Sequence, residues 1–247
     1  MKFSIDQEIF AKWPEARLGV VVVLGVDNTR GGEESVRLLT QEEEKAKTLT
    51  ELPLEDIRPW RQAYEDFGAS SKKYLSSIES LLTRVVARKS LPDINPLVNF
   101  YNYTSLKYKL PFGGEDLDKV VGDIELTFAE GTEKGVYLGG EKEETCLKGE
   151  VIYKDAVGFI CRRWNWREAD RTKLTKDTKN LVMVAEILTD NREKELSLAV
   201  GEFAKLAEEV LGGRTKLFIL DTGNPVVGVD FLTGTKTADS LKTKEKG

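Results

Sequence analysis

Apolar and polar positions along the chain switch between short continuous runs and helical spacing, without the regular strand-helix-strand rhythm of a wholly parallel sheet. Residues 18–26 carry Leu18, Val20, Val21, Val22, Val23, Leu24 and Val26 with Gly19 and Gly25 near the ends, which predicts a buried strand led in by residues 8–14. A polar turn over 28–34 precedes a charged segment, 33–51. Its weak apolar spacing at Val36, Leu38, Leu39 and Ala46 predicts an exposed helix or a mobile excursion with a solvated face.

From Pro59 the helical period is clear: Trp60, Ala63, Tyr64 and Phe67 share one face and Gly68 follows as a stop. A second helix starts on the cap at Ser76 and Ser77, with Ile78, Leu81, Leu82, Val85 and Val86 on one side. Pro92 breaks it, and Pro96 opens a third helix with Leu97, Val98 and Tyr101 aligned. Asn95, Asn99 and Asn102 are harder to explain there, because Asn is a mediocre helix former that a surface would replace with Lys or Glu.

Residues 110–116 read as a turn from Pro111, Gly113 and Gly114. Short strands follow at 124–129, 150–153 and 157–161, with a hairpin over 135–140. Residues 180–188 form an apolar run interrupted by Glu186, which marks either an edge position or a site, since a lone buried carboxylate is unfavourable unless partnered. Residues 193–211 give the strongest helical stripe, through Leu196, Val200, Phe203, Ala204, Ala207 and Val210, and 216–220 returns as a strand. The fold class is α+β or mixed α/β: one compact domain over 1–232, with a central mixed or antiparallel sheet packed by helices. Residues 233–247, rich in Thr, Lys and Gly, read as a disordered tail.

Composition narrows the chemistry. The 247 residues suffice for a substantial core, and 40% hydrophobic with 32% charged residues is the balance of a soluble globular chain. A net charge of −5 argues against a generic nucleic-acid binder, though a local basic patch stays open. Neither a membrane-length apolar run nor a signal-peptide core is present, so a cytoplasmic location is expected. The chain contains no histidine, which removes imidazole acid-base catalysis and histidine-built metal sites. No metal and no cofactor are expected. A carboxylate-only Mg²⁺ site at Asp116 and Asp118 survives in principle, against the plainer reading of a solvated acidic pair.

The densest chemistry lies in residues 161–172, which hold Arg162, Arg163, Arg167 and Arg171 with Trp164, Trp166, Asn165, Glu168 and Asp170. Guanidinium grips phosphate in a bidentate fork and stacks on flat rings, so the mixture suits a phosphate-bearing or aromatic ligand, or else a partly buried rim.

Three stretches, 95–111, 113–118 and 162–167, together resemble the B3/B4 domain family, which is named for the editing module in the β subunit of bacterial phenylalanyl-tRNA synthetase and includes free-standing members of about this size. The resemblance runs from about Trp60 to about Phe218 and is nearest to the free-standing pattern. It implies a trans-editing aminoacyl-tRNA deacylase with the aminoacylated tRNA end as partner, metal-independent and using positioned water. A non-catalytic binding module for a tRNA end, amino acid or nucleotide is the alternative, and a small-molecule hydrolase stays open.

Carried over residue by residue, the resemblance sets Asn102 on the Asn-Tyr of the module's Thr-Asn-Tyr motif, with Tyr101 in the threonine position and Gly113 in that of a histidine. Both changes alter the pocket, so tyrosine specificity is not carried over. Glu186 falls near a carboxylate that reads the substrate hydroxyl in that module. We expect Asn99, Asn102, Ser105, Gly113, Gly114, Arg163, Trp164, Asn165, Trp166 and Glu168 to converge on one cleft. Asn102 and Asn165 would orient ester and water, with Gly113 and Gly114 offering backbone donors. Arg163 and Arg167 would grip phosphate or adenosine, and Trp164 or Trp166 would stack on a ring.

Overall fold

The structure, a computed structural model, describes residues 1–229; the tail expected at 233–247 lies outside them. Its strands are β1 (Lys2–Ile5), β2 (Arg17–Leu24), β3 (Phe112–Asp116), β4 (Ile124–Phe128), β5 (Lys134–Val136), β6 (Glu143–Thr145), β7 (Val151–Lys154), β8 (Phe159–Arg162), β9 (Arg167–Glu168), β10 (Asn180–Ile187), β11 (Arg214–Leu220) and β12 (Val226–Gly228). The helices are α1 (Gln7–Lys12), α2 (Gly32–Ala46), α3 (Leu54–Asp66), α4 (Ser77–Val86), α5 (Pro96–Tyr108) and α6 (Glu193–Glu209). The fold is mixed α/β. In place of one central sheet it has a six-stranded sheet, β12-β1-β4-β7-β8-β9, facing a four-stranded sheet, β11-β2-β10-β3, with β5 and β6 as a separate ribbon.

Alternation along the two central strands explains this layering. β2 and β10 pair antiparallel, Val22 opposite Val182 and Leu18 opposite Glu186, and both strands are apolar on both faces. One face sends Val20, Val22 and Val182 into a cluster with Phe3, Ile124, Leu126, Val151, Tyr153 and Ile160 of the larger sheet. The other sends Val21, Val23, Leu181, Met183 and Ala185 against Leu97 and Phe100 of α5 and Leu196, Val200 and Phe203 of α6. Each such buried side chain contributes roughly 1.5–3 kcal/mol. Gly19 sets how closely α6 approaches, since a Cβ there would stand 2.6 Å from Val200 Cγ1. Helices α3 and α4 close the layer between the sheets with Ile57, Trp60, Tyr64, Ile78, Leu82 and Val85.

Three elements depart from the pattern. The expected turn at 110–116 is the edge strand β3, because the missing side chain of Gly114 leaves space that Met183 fills: a Cβ there would lie 2.1 Å from Met183 Sδ. Helix α3 begins at Leu54 and carries Pro59 inside it, so the proline is not its start. Helix α2 is not a solvated excursion: Leu39, Ala46 and Glu43 are buried, and Glu43 Oε1 accepts from Leu91 N at 2.8 Å.

A buried ionic triad pins the end of the larger sheet. Glu150 accepts from Arg162 Nε at 2.6 Å and pairs with Arg163 at 2.7 Å, all three side chains being almost wholly enclosed. Arg163 and Trp164 follow with φ of 51° and 61°, two consecutive left-handed residues without a glycine, an arrangement that stores of order 1–3 kcal/mol each. The triad offsets that strain. Glu150→Ala leaves two enclosed guanidinium groups unpaired, and thermal or denaturant unfolding is expected to register a loss of about 3–5 kcal/mol; a loss below about 1 kcal/mol contradicts the clamp.

Candidate active site

Between the sheets lies a cavity of about 260 Å³, near the small end of the range for ligand sites and amino-acid-sized rather than nucleotide-sized. It is bounded by α5, the edge strand β3, the turn between β8 and β9, β10 and the start of α4. Of the residues singled out from the sequence, the structure brings Asn102, Gly113, Gly114, Trp164, Asn165, Trp166, Arg167, Glu168 and Glu186 to its walls. It does not bring Asn99, Ser105 or Arg163.

Each of those three is occupied elsewhere for a definite reason. Asn99 donates to Asp93 Oδ1 at 2.7 Å and Ser35 Oγ at 3.2 Å and accepts from Ile94 N, tying the start of α5 to α2. The Ser105 hydroxyl donates to the Leu110 carbonyl at 2.7 Å and secures the end of α5. Arg163 is held by Glu150 with its guanidinium 3.9 Å from the centre of Tyr74 and 4.7 Å from that of Trp166, so it does not reach a phosphate. Arg167 remains as the exposed cation at the cavity mouth, over Tyr137 and Trp166, with no ion-pair partner among the described residues.

The interior has two kinds of polar group. The first is fully engaged around Glu186, which the inward face of β10 carries into the layer between sheets. Its carboxylate accepts from the Tyr153 hydroxyl, from Trp164 Nε1 at 3.0 Å and from Asn165 Nδ2. Asn165 Oδ1 in turn accepts from Tyr64 Oη at 3.1 Å and Ser77 N at 3.4 Å. Trp164 is entirely enclosed, edge-on to Trp13 at 4.8 Å and Trp60 at 5.3 Å, so it is a pillar of the core, and of the two indoles only Trp166 is partly exposed. Burial pushes Glu186 up to about 7 against the opposing pull of its three donors.

The second kind is unmet. Asn102 is 7% exposed, and its amide has no hydrogen-bond partner among the described residues. Glu115 Oε2 and Ser77 Oγ, both on the cavity wall, are likewise buried without partners. Native proteins leave few buried polar groups unpaired, and two such atoms on one small cavity, beside the partnerless Asn102 amide, make it the candidate ligand site.

Ladder alternation decides which glycine can donate. Glu186 N donates to Pro111 O, so the bonded pairs of the β3–β10 ladder continue through Gly113 with Val184 and Glu115 with Val182. The Gly113 N–H is therefore used within the sheet and is not free as a donor, a correction to the expected pair. The N–H groups of Gly114 and Asp116 point off the sheet edge, Asp116 to the Thr172 carbonyl at 2.8 Å and Gly114 to the Glu168 carboxylate. Gly113 faces the cavity with room to spare, the first atom a Cβ would meet being Glu168 Oε1 at 3.4 Å.

Burial pushes Glu168 up to about 7, and it holds Glu115 well above the ordinary carboxylate range with the charge of Glu168 adding to the effect. Burial also raises Cys161 well above its usual value, which removes the thiolate needed for a cysteine nucleophile. No group of potential metal-ligating side chains exists among the described residues, and Asp116 and Asp118 are occupied by Thr178 and Asn180. Glu115, Tyr153 and Ser77 escaped notice in the sequence. An acid on the inward side of a short strand is the signal that could have found Glu115, but Gly113 and Gly114 disguised the strand.

The two asparagine classes separate experimentally. Asn99→Ala and Ser105→Ala remove buried bonded partners and are expected to lower unfolding stability by about 1–3 kcal/mol. Asn102→Ala strands no partner and is expected to stay within about 0.5 kcal/mol of the parent. Equal losses at Asn99 and Asn102 contradict the division.

A solved N-terminal fragment of the phenylalanyl-tRNA synthetase beta-subunit from Pyrococcus horikoshii is similar at 16% identity and a TM-score of 0.41, over 86% of this chain and 49% of that one. The chain thus spans about half the length of that fragment. No curated protein matches it. Among the described residues, no helix is long and apolar enough to cross a membrane. The model of the B3/4 domain family matches residues 59–201, which include the whole of α5, β3, the β8–β9 turn and β10, and the chain belongs to that family.

Proposed function

We propose that the chain hydrolyses aminoacyl esters, acting in trans on the charged end of a mischarged tRNA. The observation that carries this reading is Asn102, an enclosed amide with no protein partner, on a wall shared with Glu168 and the outward N–H of Gly114. Family membership supports the same reading.

The chemistry needs no imidazole. A carboxyl near 7 is matched to neutral pH as a general base, so ionised Glu168, aligned by the Gly114 N–H, takes a proton from water as the water oxygen attacks the ester carbon. Asn102 Nδ2 donates to the developing oxyanion. As the C–O bond breaks, the carboxylic acid of Glu168 returns its proton to the departing ribose oxygen, giving free amino acid and free hydroxyl. An amino acid fits about 260 Å³, while a nucleotide would remain outside. An adjoining groove shares Tyr101, Leu138 and Glu168 with the cavity and carries Lys176, a cation suited to the terminal phosphate, beside Lys173, which Asp170 holds at 2.8 Å. Arg167 stands at the mouth between the two.

The engagement of Asn165 and Gly113 favours a second reading, a binding module without turnover, because two of the expected catalytic donors are committed to the fold.

Incubating the full chain with tRNAs bearing each amino acid separates the two. Release above background is expected from at least one. kcat/KM should climb between pH 6 and 8 as Glu168 loses its proton, and Asn102→Ala should lower it by roughly 10- to 1,000-fold. Binding without release from any charged tRNA leaves the second reading; neither binding nor release overturns both.

A further inference from the structure

We infer that the cavity holds the primary ammonium group of its ligand between Glu115 and Glu168, so that it accepts amino acids with a free α-amine and rejects N-acylated ones. The inference deepens the proposed reading and rests on it, because an aminoacyl ester is what brings such an amine to this site.

The case begins with unmatched acceptors. Glu115 Oε2 is buried without a formed hydrogen bond and has the Thr172 hydroxyl as its nearby neutral donor, Glu168 has the Gly114 N–H, and the Asn102 amide has no partner among the described residues. A primary ammonium is the complement of that set, with three donors and no acceptor. The lining carries three carboxylates, Glu115, Glu168 and Glu186, and Arg167 as its one basic residue. Glu186 is already served by Tyr153, Trp164 and Asn165, so it is the other two that lack a cation.

Neighbouring groups do not supply one. Arg171 faces the pair but is engaged by Asp155 at 2.7 Å and the Lys119 carbonyl at 2.7 Å. Arg167 is exposed and lies over Tyr137 and Trp166. Tyr101 of α5 and Cys161 of β8 also face the carboxylates, and both are protonated at neutral pH. An anionic ligand group would meet uncompensated negative charge in this interior, whereas an ammonium neutralises it. An N-acyl group removes the charge and two of the three donors and adds bulk to a cavity already amino-acid-sized.

Burial and the charge of Glu168 keep a proton on Glu115 at neutral pH, and a bound ammonium drives it off. Binding therefore releases a proton to the buffer, with no bond made or broken in the ligand.

The test is titration calorimetry of the full chain with the amides of uncharged amino acids and with their N-acetyl amides, in two buffers of different ionisation enthalpy. At least one free-amine amide should bind with net proton release. Its N-acetyl counterpart should bind about 10- to 100-fold more weakly and without release. Glu115→Gln, and independently Glu168→Gln, should weaken the free-amine amide by a similar factor and abolish the proton signal, each variant being checked by thermal unfolding against the parent. Equal binding of free and acetylated amides, binding without proton release, or no binding of any amide overturns the inference. These readouts do not involve turnover: an ammonium site persists if hydrolysis fails, and equally fast release from N-acetylated and free aminoacyl-tRNA removes the ammonium site while leaving the deacylase.

Discussion

The structure turns on one buried carboxylate. Glu186 sits on the inward face of a central strand, where every neighbouring position is aliphatic, and an unpartnered charge there would be prohibitive. Its three donors come from different parts of the chain: Tyr153 from the facing sheet, Trp164 and Asn165 from the turn between β8 and β9. Through Asn165 the network extends to Tyr64 on α3 and the start of α4. Satisfying this group therefore sets the spacing of the two sheets, the seat of the two helices and the depth of the turn. The cavity is the space left when those constraints are met.

A division of labour follows. Residues that hold the scaffold have spent their hydrogen-bonding capacity on one another, as Asn99, Ser105, Arg163 and Asn165 have, while Asn102, Glu115 and Ser77 keep polar atoms without a formed hydrogen bond at the cavity wall. Glu186 belongs with the first group, its carboxylate taken up by three donors. Preorganised polar groups in a water-poor pocket act more strongly than the same groups in solvent, which is what the proposed ester chemistry would draw on in a chain without histidine.

Much of this was legible in the chain. The apolar runs of β2 and β10 and the stripe of α6 state their burial directly, and the asparagines of α5 stand out because a helix surface does not want them. What could not be read is which polar residue is already taken. Arg163 looks like a phosphate ligand until Glu150, well upstream, is seen to hold it, and Asn99 looks like Asn102 until Ser35 and Asp93 arrive beside it. Partners distant in sequence decide whether a residue builds the site or serves it. Residues 110–116 failed for a local reason: paired glycines signal a turn, yet here Gly114 makes room for Met183 in a strand.

The most direct measurement is the chemical-shift response of isotopically labelled protein to an aminoacyl-adenosine whose ester is replaced by an unreactive 3′-amide. Shifts confined to the Asn102 side-chain amide, the Gly114 backbone N–H and the Trp166 indole, with the amides of Asn99 and Asn165 little moved, are the predicted result. Saturable binding that leaves Asn102 and Gly114 unperturbed would contradict it.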